Sequence, residues 1–279
     1  VGPATIDKEA GQLQGIGTSK NGDVWIADTT SNYMLQFPGG DFTKGKRLSF
    51  EGLQAPFGVA VDDQNRVWVS SSFNNKLTVI EGESPDQYQT VTVALGARGI
   101  AIDSKGNAWL SQQSNSPTGA LPAGAVMPPG APNPPQQPKT IMEEFEAGAA
   151  FAAVNPELKT LGNLALISPD LEIIQNGIAG EVAFVPWGVT IDGNDNVWVG
   201  NLYGQSLIHI CGTDPSTCPE GKTTGDVIHN YQSGVIQVTT DVVVDDAGNL
   251  WSANNWFDAD VVINKSYNAR TSTFPGGQG

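Results

Sequence analysis

The sequence predicts an all-β fold of repeated four-stranded antiparallel units, and three observations predict it. The first is a pattern that returns five times: GIGTSKNGDVW at Gly15–Trp25, GVAVDDQNRVW at Gly58–Trp68, GIAIDSKGNAW at Gly99–Trp109, GVTIDGNDNVW at Gly188–Trp198 and DVVVDDAGNLW at Asp241–Trp251. The second is the turn inside each copy, SKNGD, DDQNR, DSKGN, DGNDN or DDAGN, which offers Gly or Asn where a hairpin needs φ > 0. The third is composition: 33 Gly and 18 Pro in 279 residues fit a turn-rich protein, and 39% hydrophobic residues with 8% aromatics suffice for a packed core. One such hairpin has too little apolar surface to fold alone, so repetition implies stacked neighbours that share a core.

The repeated hairpin supplies two strands of each unit. A third follows as YMLQF at Tyr33–Phe37, KLTVI at Lys76–Ile80, LALI at Leu164–Ile167, SLIHI at Ser206–Ile210 and DVVI at Asp260–Ile263. A fourth is visible in most units, as RLSF, QTVTV, LEII and DVIHNY. Four antiparallel strands in roughly 40–45 residues make a propeller blade. The reading is one domain over 1–279, with blades at about 15–55, 56–96, 97–180, 184–236 and 238–275. Five blades are visible, six if the tails Val1–Gln14 and Lys265–Gly279 supply outer strands that complete another.

The third unit is twice the usual length, room for either a degenerate sixth unit or an insertion, and we read it as an insertion at 113–163 between its second and third strands. Ser116–Pro138 holds Pro117, Pro122, Pro128, Pro129, Pro132, Pro134, Pro135 and Pro138, which forbid a central strand. TIMEEFEAGAAFAAV then reads as a helix with Ile141, Phe145, Ala149 and Ala152 on one face.

The formal net charge of −15 argues against nucleic acid, whose phosphates need clustered Lys and Arg. No apolar run is long enough to span a bilayer. Cys211 and Cys218 bracket CGTDPSTC, a loop short enough for a disulfide, with free thiols or a metal site as alternatives. A disulfide, and a chain that starts at Val1 with neither Met nor signal peptide, lead us to expect an extracytoplasmic protein, periplasmic or secreted.

The G-[IV]-x-[VI]-D-x-x-G-N-x-W-[VIL] pattern, from Gly15 to about Asn264 apart from the insertion, resembles NHL-repeat propellers and the related SMP-30 gluconolactonase-like and virginiamycin-B-lyase-like propellers. That resemblance implies two enzyme chemistries. Gluconolactonase-like propellers carry Asn or Asp just before the blade glycine, where this sequence has Gln14, Phe57, Arg98, Trp187 and Thr240. Lyase-like propellers place His and Glu near the channel in W-F-T-E motifs. Here the third residue after the repeat Trp is never Glu, and the only histidines are His209 and His229.

Propeller geometry sends the connections between strands two and three, and from blade to blade, to one face, where ligand sites usually lie. Three sets of residues map there. Three positions after each Trp stand Asp28, Ser71, Gln112, Asn201 and Asn254; before each first strand stand Gln14, Phe57, Arg98, Trp187 and Thr240; five after the Trp stand Thr30, Phe73, Ser114, Tyr203 and Trp256. The expected ligand-binding set is therefore Phe57, Phe73, Arg98, Trp187, Tyr203 and Trp256, with the insertion on the same face and the cysteine loop on the other. Large apolar rings exposed together imply a partner or ligand.

A divalent cation such as Ca²⁺ would draw on Asp28, Asn201, Asn254 and on Asp241, a carboxylate where other inner strands open with glycine. No cofactor is required by the sequence. The repeat tryptophans read as inter-blade packing, and Asp62, Asp103, Asp192 and Asp245 as caps of their own turns. DGNDN is similar to a calcium loop but lacks the later bidentate Glu. His209 and His229 fall on strands three and four of one blade, away from the axis. These features favour an exported, non-catalytic propeller that binds a protein or small ligand at the channel-mouth face. The alternative is a divalent-metal-dependent lactonase or lyase.

Overall fold

A computed structural model describes residues 11–115, 124–131, 160–233 and 238–254, together with residues 147, 150, 151, 154, 155 and 236. Blade one is β1 (Leu13–Thr18), β2 (Val24–Asp28), β3 (Tyr33–Phe37) and β4 (Lys46–Leu48). Blade two is β5 (Pro56–Val61), β6 (Arg66–Ser71), β7 (Lys76–Glu81) and β8 (Tyr88–Thr92). Blade three is β9 (Ala97–Ile102), β10 (Ala108–Gln112), β11 (Asn163–Ile167) and β12 (Ile173–Ile178). Blade four is β13 (Pro186–Ile191), β14 (Val197–Asn201), β15 (Ser206–Ile210) and β16 (Val227–Tyr231). Blade five shows β17 (Thr239–Val244) and β18 (Leu250–Asn254) among the described residues. The strand expected at Asp260–Ile263 lies outside them. Every neighbouring pair within a blade is antiparallel and consecutive.

The first hairpins share one turn. In blade two Asp62 N donates to Arg66 O and Asn65 N to Asp62 O, with Asn65 left-handed at φ 61°. This is a three-residue loop, a type I turn followed by a left-handed residue. The left-handed position is Gly22, Asn65, Gly106, Asp195 and Gly248 in the five blades. In blade four it is thus Asp195, and the neighbouring Gly193 and Asn194 of DGNDN are not the residues with positive φ.

The inner strands β1, β5, β9, β13 and β17 pack in that order, each on the next. The repeat glycine makes the close approach. A Cβ on Gly58 would lie 2.2 Å from Arg98 O, and one on Gly99 2.3 Å from Trp187 O. Behind that backbone contact sit three cores. Trp25 packs with Val59, Val67 and Val69 of blade two; Trp68 with Ala97, Ile100 and Leu110 of blade three; Trp109 with Val189, Val197 and Val199 of blade four. In these three blades the repeat Trp fills the space between a blade and its successor, as its spacing predicts, whereas Trp198 is half-buried and stacks on His209 and Tyr231 of its own blade.

Two outer strands are shifted from their sequence-based positions. RLSF enters its sheet only as Lys46–Leu48, and LEII is displaced because Leu171 occupies a turn at φ 66°, so that β12 begins at Ile173. β10 ends at Gln112 and β11 begins at Asn163. Ala147, Ala150, Phe151 and Val154 are helical, and Asn155 ties that segment back by accepting from Val126 N and donating to Val126 O and Phe151 O. Ile141, Phe145, Ala149 and Ala152 lie outside the described residues, as do most of the prolines.

Candidate ligand-binding face

Antiparallel pairing sets the starts of the inner strands beside the ends of the second strands: Pro56 pairs with Ser71, Ala97 with Gln112 and Pro186 with Asn201. Phe57, Arg98 and Trp187, one from each of three successive inner strands, meet there. The Phe57 and Trp187 rings are edge-to-face, with centroids 5.3 Å apart and planes at 81°. The Arg98 guanidinium lies 4.5 Å from the Phe57 centroid and 4.7 Å from that of Trp187, and Nη1 donates to Ser72 Oγ at 2.5 Å. Arg98 is fully buried. A desolvated cation against an aromatic face gains about 2 kcal/mol or more, which offsets part of the cost of burying the charge.

The rest of the expected aromatic set is spread along the rim. Phe73 and Tyr203 are half-buried just beyond β6 and β14, and Tyr203 stands edge-to-face on Phe184 at 6.0 Å. Trp256 lies outside the described residues. Gln14 and Thr240 are half-buried.

The polar set has a role that its pattern did not reveal. Asp28 Oδ2 accepts from Gly11 N, Ser71 Oγ from Gln54 N, Gln112 Oε1 from Ala94 N, and Asn201 Oδ1 from Phe184 N. The partner stands 17 or 18 residues upstream in each case. All four side chains are buried. Each one latches the connector that enters its own blade. Asn201 Nδ2 adds bonds to Val182 O and Ser206 Oγ, and Asn254 Oδ1 accepts from Thr239 Oγ1.

These bonds bear on a divalent cation. The oxygens offered by Asp28, Asn201 and Asn254 are each engaged by hydrogen bonds, and the residues stand on blades one, four and five. Asp241 Oδ1 accepts from Val242 N, and burial against β13 pushes its carboxyl above the usual carboxylate range. Among the described residues no three His, Cys, Asp or Glu side chains gather into a group that could hold a metal ion. This donor set does not fit a shared cation, and we derive no chemistry through one.

A recess of about 310 Å³ opens on the same face at the root of the insertion, lined by Asn115, Asn163, Asn176, Gly177 and Gly180. Gln112 Nε2 donates to both Asn163 and Asn176, so the latch residue of blade three also orders this amide cluster. A second groove, of about 380 Å³, lies at the hairpin-turn face between Asp62–Arg66 and Asp103–Gly106. The Cys211–Cys218 disulfide, with Cα atoms 5.7 Å apart, is on that opposite face too.

Two further arrangements were hidden from the sequence. The turn aspartates cap their turns as expected, but they also accept from the repeat tryptophans: Trp68 Nε1 to Asp62, Trp109 to Asp103, Trp198 to Asp192 and Trp251 to Asp245, at 2.9–3.2 Å. Blade one has Ser19 at this position, and Trp25 Nε1 is buried without a hydrogen-bond partner among the described residues. The constant six-residue Asp-to-Trp spacing was the available signal. The histidines form a cross-strand pair, His209 opposite His229, with the His209 ring stacked 3.9 Å from Trp198. Burial lowers the His209 pKa, and Asp192 Oδ2 at 3.6 Å opposes that shift in part.

No protein-family model matches the sequence, and no curated protein is significantly similar to it. Solved structures share the fold. A catalytically inactive virginiamycin B lyase from Staphylococcus aureus with quinupristin aligns with a TM-score of 0.60 at 13% identity, over 89% of this chain and 64% of the lyase. A gluconolactonase from Xanthomonas campestris aligns at 0.58 and 16% identity, over 88% and 71%. A chain of a nidogen–laminin complex aligns at 0.58 and 12%, over 88% and 73%. The chain thus spans under two thirds of the lyase's length. Likeness at these identities shows the propeller fold, which enzymes and a protein found in a complex hold in common.

Proposed function

We propose, from this propeller scaffold, that the chain is a non-catalytic recognition protein that binds a protein or small ligand at the channel-mouth face. The observation that carries the reading is the Phe57–Arg98–Trp187 group. The structure buries the two rings expected to be exposed, Phe57 at 8% and Trp187 at 7%, around the fully buried Arg98, so the group forms a floor where three inner strands begin, and a floor fixed before binding saves the ordering cost of recognition. Phe73 and Tyr203 stand on the rim, and the amides of Asn115 and Asn176 line a recess on the same face. Sites of this kind combine aromatic lining with a few placed polar groups.

The metal-dependent lactonase or lyase reading draws support from the fold of the similar structures alone, since both histidines sit on the outer strands of blade four. An extracytoplasmic location is supported by the Cys211–Cys218 disulfide.

The test pairs a binding screen with two activity assays. Immobilised protein is screened by surface plasmon resonance against carboxylate-bearing aromatic compounds and acidic peptides, beside the double variant Phe73→Ala, Tyr203→Ala. These half-exposed side chains can be trimmed with little effect on melting. A ligand held by the wild type and released at least tenfold faster by the variant supports the reading. Opening of a sugar lactone or of quinupristin that EDTA abolishes would overturn it in favour of the enzyme.

A further inference from the structure

The sequence carries Asn-Gly twice, at Asn21–Gly22 and at Asn176–Gly177. The pair has a chemistry of its own, because glycine has no Cβ to keep its nitrogen away from the preceding carboxamide. In sequence the two pairs stand equal, and the fold separates them.

Asn21 and Gly22 lie in the first hairpin turn of blade one. Gly22 N donates to Ser19 O at 2.9 Å, with Gly22 left-handed at φ 88°. The Asn21 carboxamide is held elsewhere: Oδ1 accepts from Asp23 N at 3.1 Å and from Ser19 Oγ, and Nδ2 donates to Glu83 Oε1. Nitrogen and carboxamide are each committed to other groups.

Asn176 and Gly177 lie on β12, the outer strand of blade three, at a shift in register. Leu166 pairs with Gln175 and Leu164 with Ile178, so neither residue between has a paired residue on β11. Here the two reacting groups meet. Gly177 N donates to Asn176 Oδ1 at 3.0 Å, which brings the nitrogen against the carboxamide it would attack. Gln112 Nε2 donates to the same oxygen at 2.9 Å. Gln112 is fully buried, and its own Oε1 is fixed by Ala94 N. Its amide thus stands ready where negative charge develops as Asn176 Cγ becomes tetrahedral, the arrangement by which an oxyanion is stabilised. Asn176 and Gly177 are exposed, so water and hydroxide reach them.

We propose that Asn176–Gly177 is a self-modifying site, at which Asn176 deamidates through a succinimide with Gln112 as the oxyanion donor. Hydroxide takes the Gly177 N–H proton, and the nitrogen forms a bond to Asn176 Cγ. The bond from Cγ to Nδ2 then breaks, and Nδ2 leaves as ammonia with a proton from water. Water opens the succinimide at either carbonyl and leaves aspartate or isoaspartate. The net change is one water consumed and one ammonia released. The recess at the root of the insertion exchanges a neutral amide for a carboxylate.

The test ages the full chain in mildly alkaline buffer and follows both Asn-Gly peptides by mass spectrometry, with isoaspartate read by electron-transfer fragmentation. In the native protein the 176–177 peptide is expected to convert at least about tenfold faster than the 21–22 peptide, since misplacing reacting groups is costly in rate. In concentrated urea the two should convert at similar rates. Gln112→Glu keeps an acceptor for Ala94 N but removes the donor, and should slow conversion at Asn176 about tenfold or more. Gln112→Met is the second variant, and circular dichroism with an unchanged rate at Asn21 checks that each folds. A native rate at Asn176 no faster than at Asn21 overturns the proposal, as does a preference for Asn176 that persists undiminished in urea. Folded Gln112 variants that convert as fast as the wild type overturn the oxyanion role.

Discussion

Replacing Asp103 with Ser separates the two roles of the turn aspartate. Asp103 is 5% exposed and receives five kinds of donor: Lys105 N, Asn107 N, Asn107 Nδ2, Trp109 Nε1 and Thr213 Oγ1, the last from blade four. Blade one shows what Ser does at this position. Ser19 Oγ accepts from Asp23 N and holds the turn, but it does not reach the indole, and Trp25 Nε1 has no partner among the described residues. In Asp103→Ser the turn therefore survives while Trp109 Nε1 and the cross-blade Thr213 bond are lost. A buried donor left unsatisfied costs about 1–3 kcal/mol, and a hydrogen bond to a charged group contributes about 1.5–3. Since these terms overlap, the expected loss is about 3 kcal/mol. At roughly 2–4 °C per kcal/mol for a chain near this size, melting falls by about 6–12 °C. Urea denaturation followed by tryptophan fluorescence measures it directly. A loss below about 1 kcal/mol would show that the Asp–Trp bond is incidental to the blade junction.

Three other outcomes follow from the geometry. Gly99→Ala sets a methyl 2.3 Å from Trp187 O and 2.8 Å from Val189 N, both backbone, and should cost about 3 kcal/mol or more while displacing Arg98 from its rings; thermal denaturation and ligand binding should fall together. Asn201→Leu removes the latch on Phe184 N and the bonds to Val182 O and Ser206 Oγ, and is expected to cost about 2–4 kcal/mol, with faster hydrogen exchange confined to residues 182–184. Asp245 is held down from 3.8 to about 2, first by the bond from Trp251 and then by those from Asn249. A depressed carboxyl stabilises the fold above its ordinary value and loses that effect as pH falls through its folded value. Trp251 fluorescence should therefore shift between about pH 4 and pH 2, and the shift should vanish in Asp245→Asn.

The hairpins were legible because each depends on neighbours in sequence: the turn aspartate, the left-handed residue and the Trp lie within eleven positions. The inter-blade role of Trp was legible for a different reason, since a large ring repeated on one face of a sheet has no alternative to burial. The polar positions three after each Trp were legible as a pattern but not as latches. Their partners are main-chain N–H groups 17 or 18 residues upstream, and a main-chain donor leaves no mark in the sequence. Phe57, Arg98 and Trp187 could be placed together because all three precede a repeat glycine. That Arg98 would be wholly buried could not be read, because a cation in an acidic chain suggests a solvated surface. Trp251 shows the same limit in reverse: its motif matches its counterparts, and only the three-dimensional array reveals that nothing among the described residues covers it.

The latches also make blade three indifferent to what is spliced into it. Gln112 fastens the connector at Ala94, and β10 and β11 pair through five residues, so neither bond runs through the insert. Blade two joins its corresponding strands through residues 72–75, where blade three uses 113–162. By the logarithmic growth of loop-closure entropy, that lengthening costs only on the order of 2 kcal/mol. Strand-two-to-strand-three junctions that keep their latch are consequently places for grafting foreign segments. Leu202–Gln205, downstream of Asn201, offers such a site, beside the floor formed by Phe57, Arg98 and Trp187, where a transplanted loop could be selected for new specificity while the blades beneath it go unchanged.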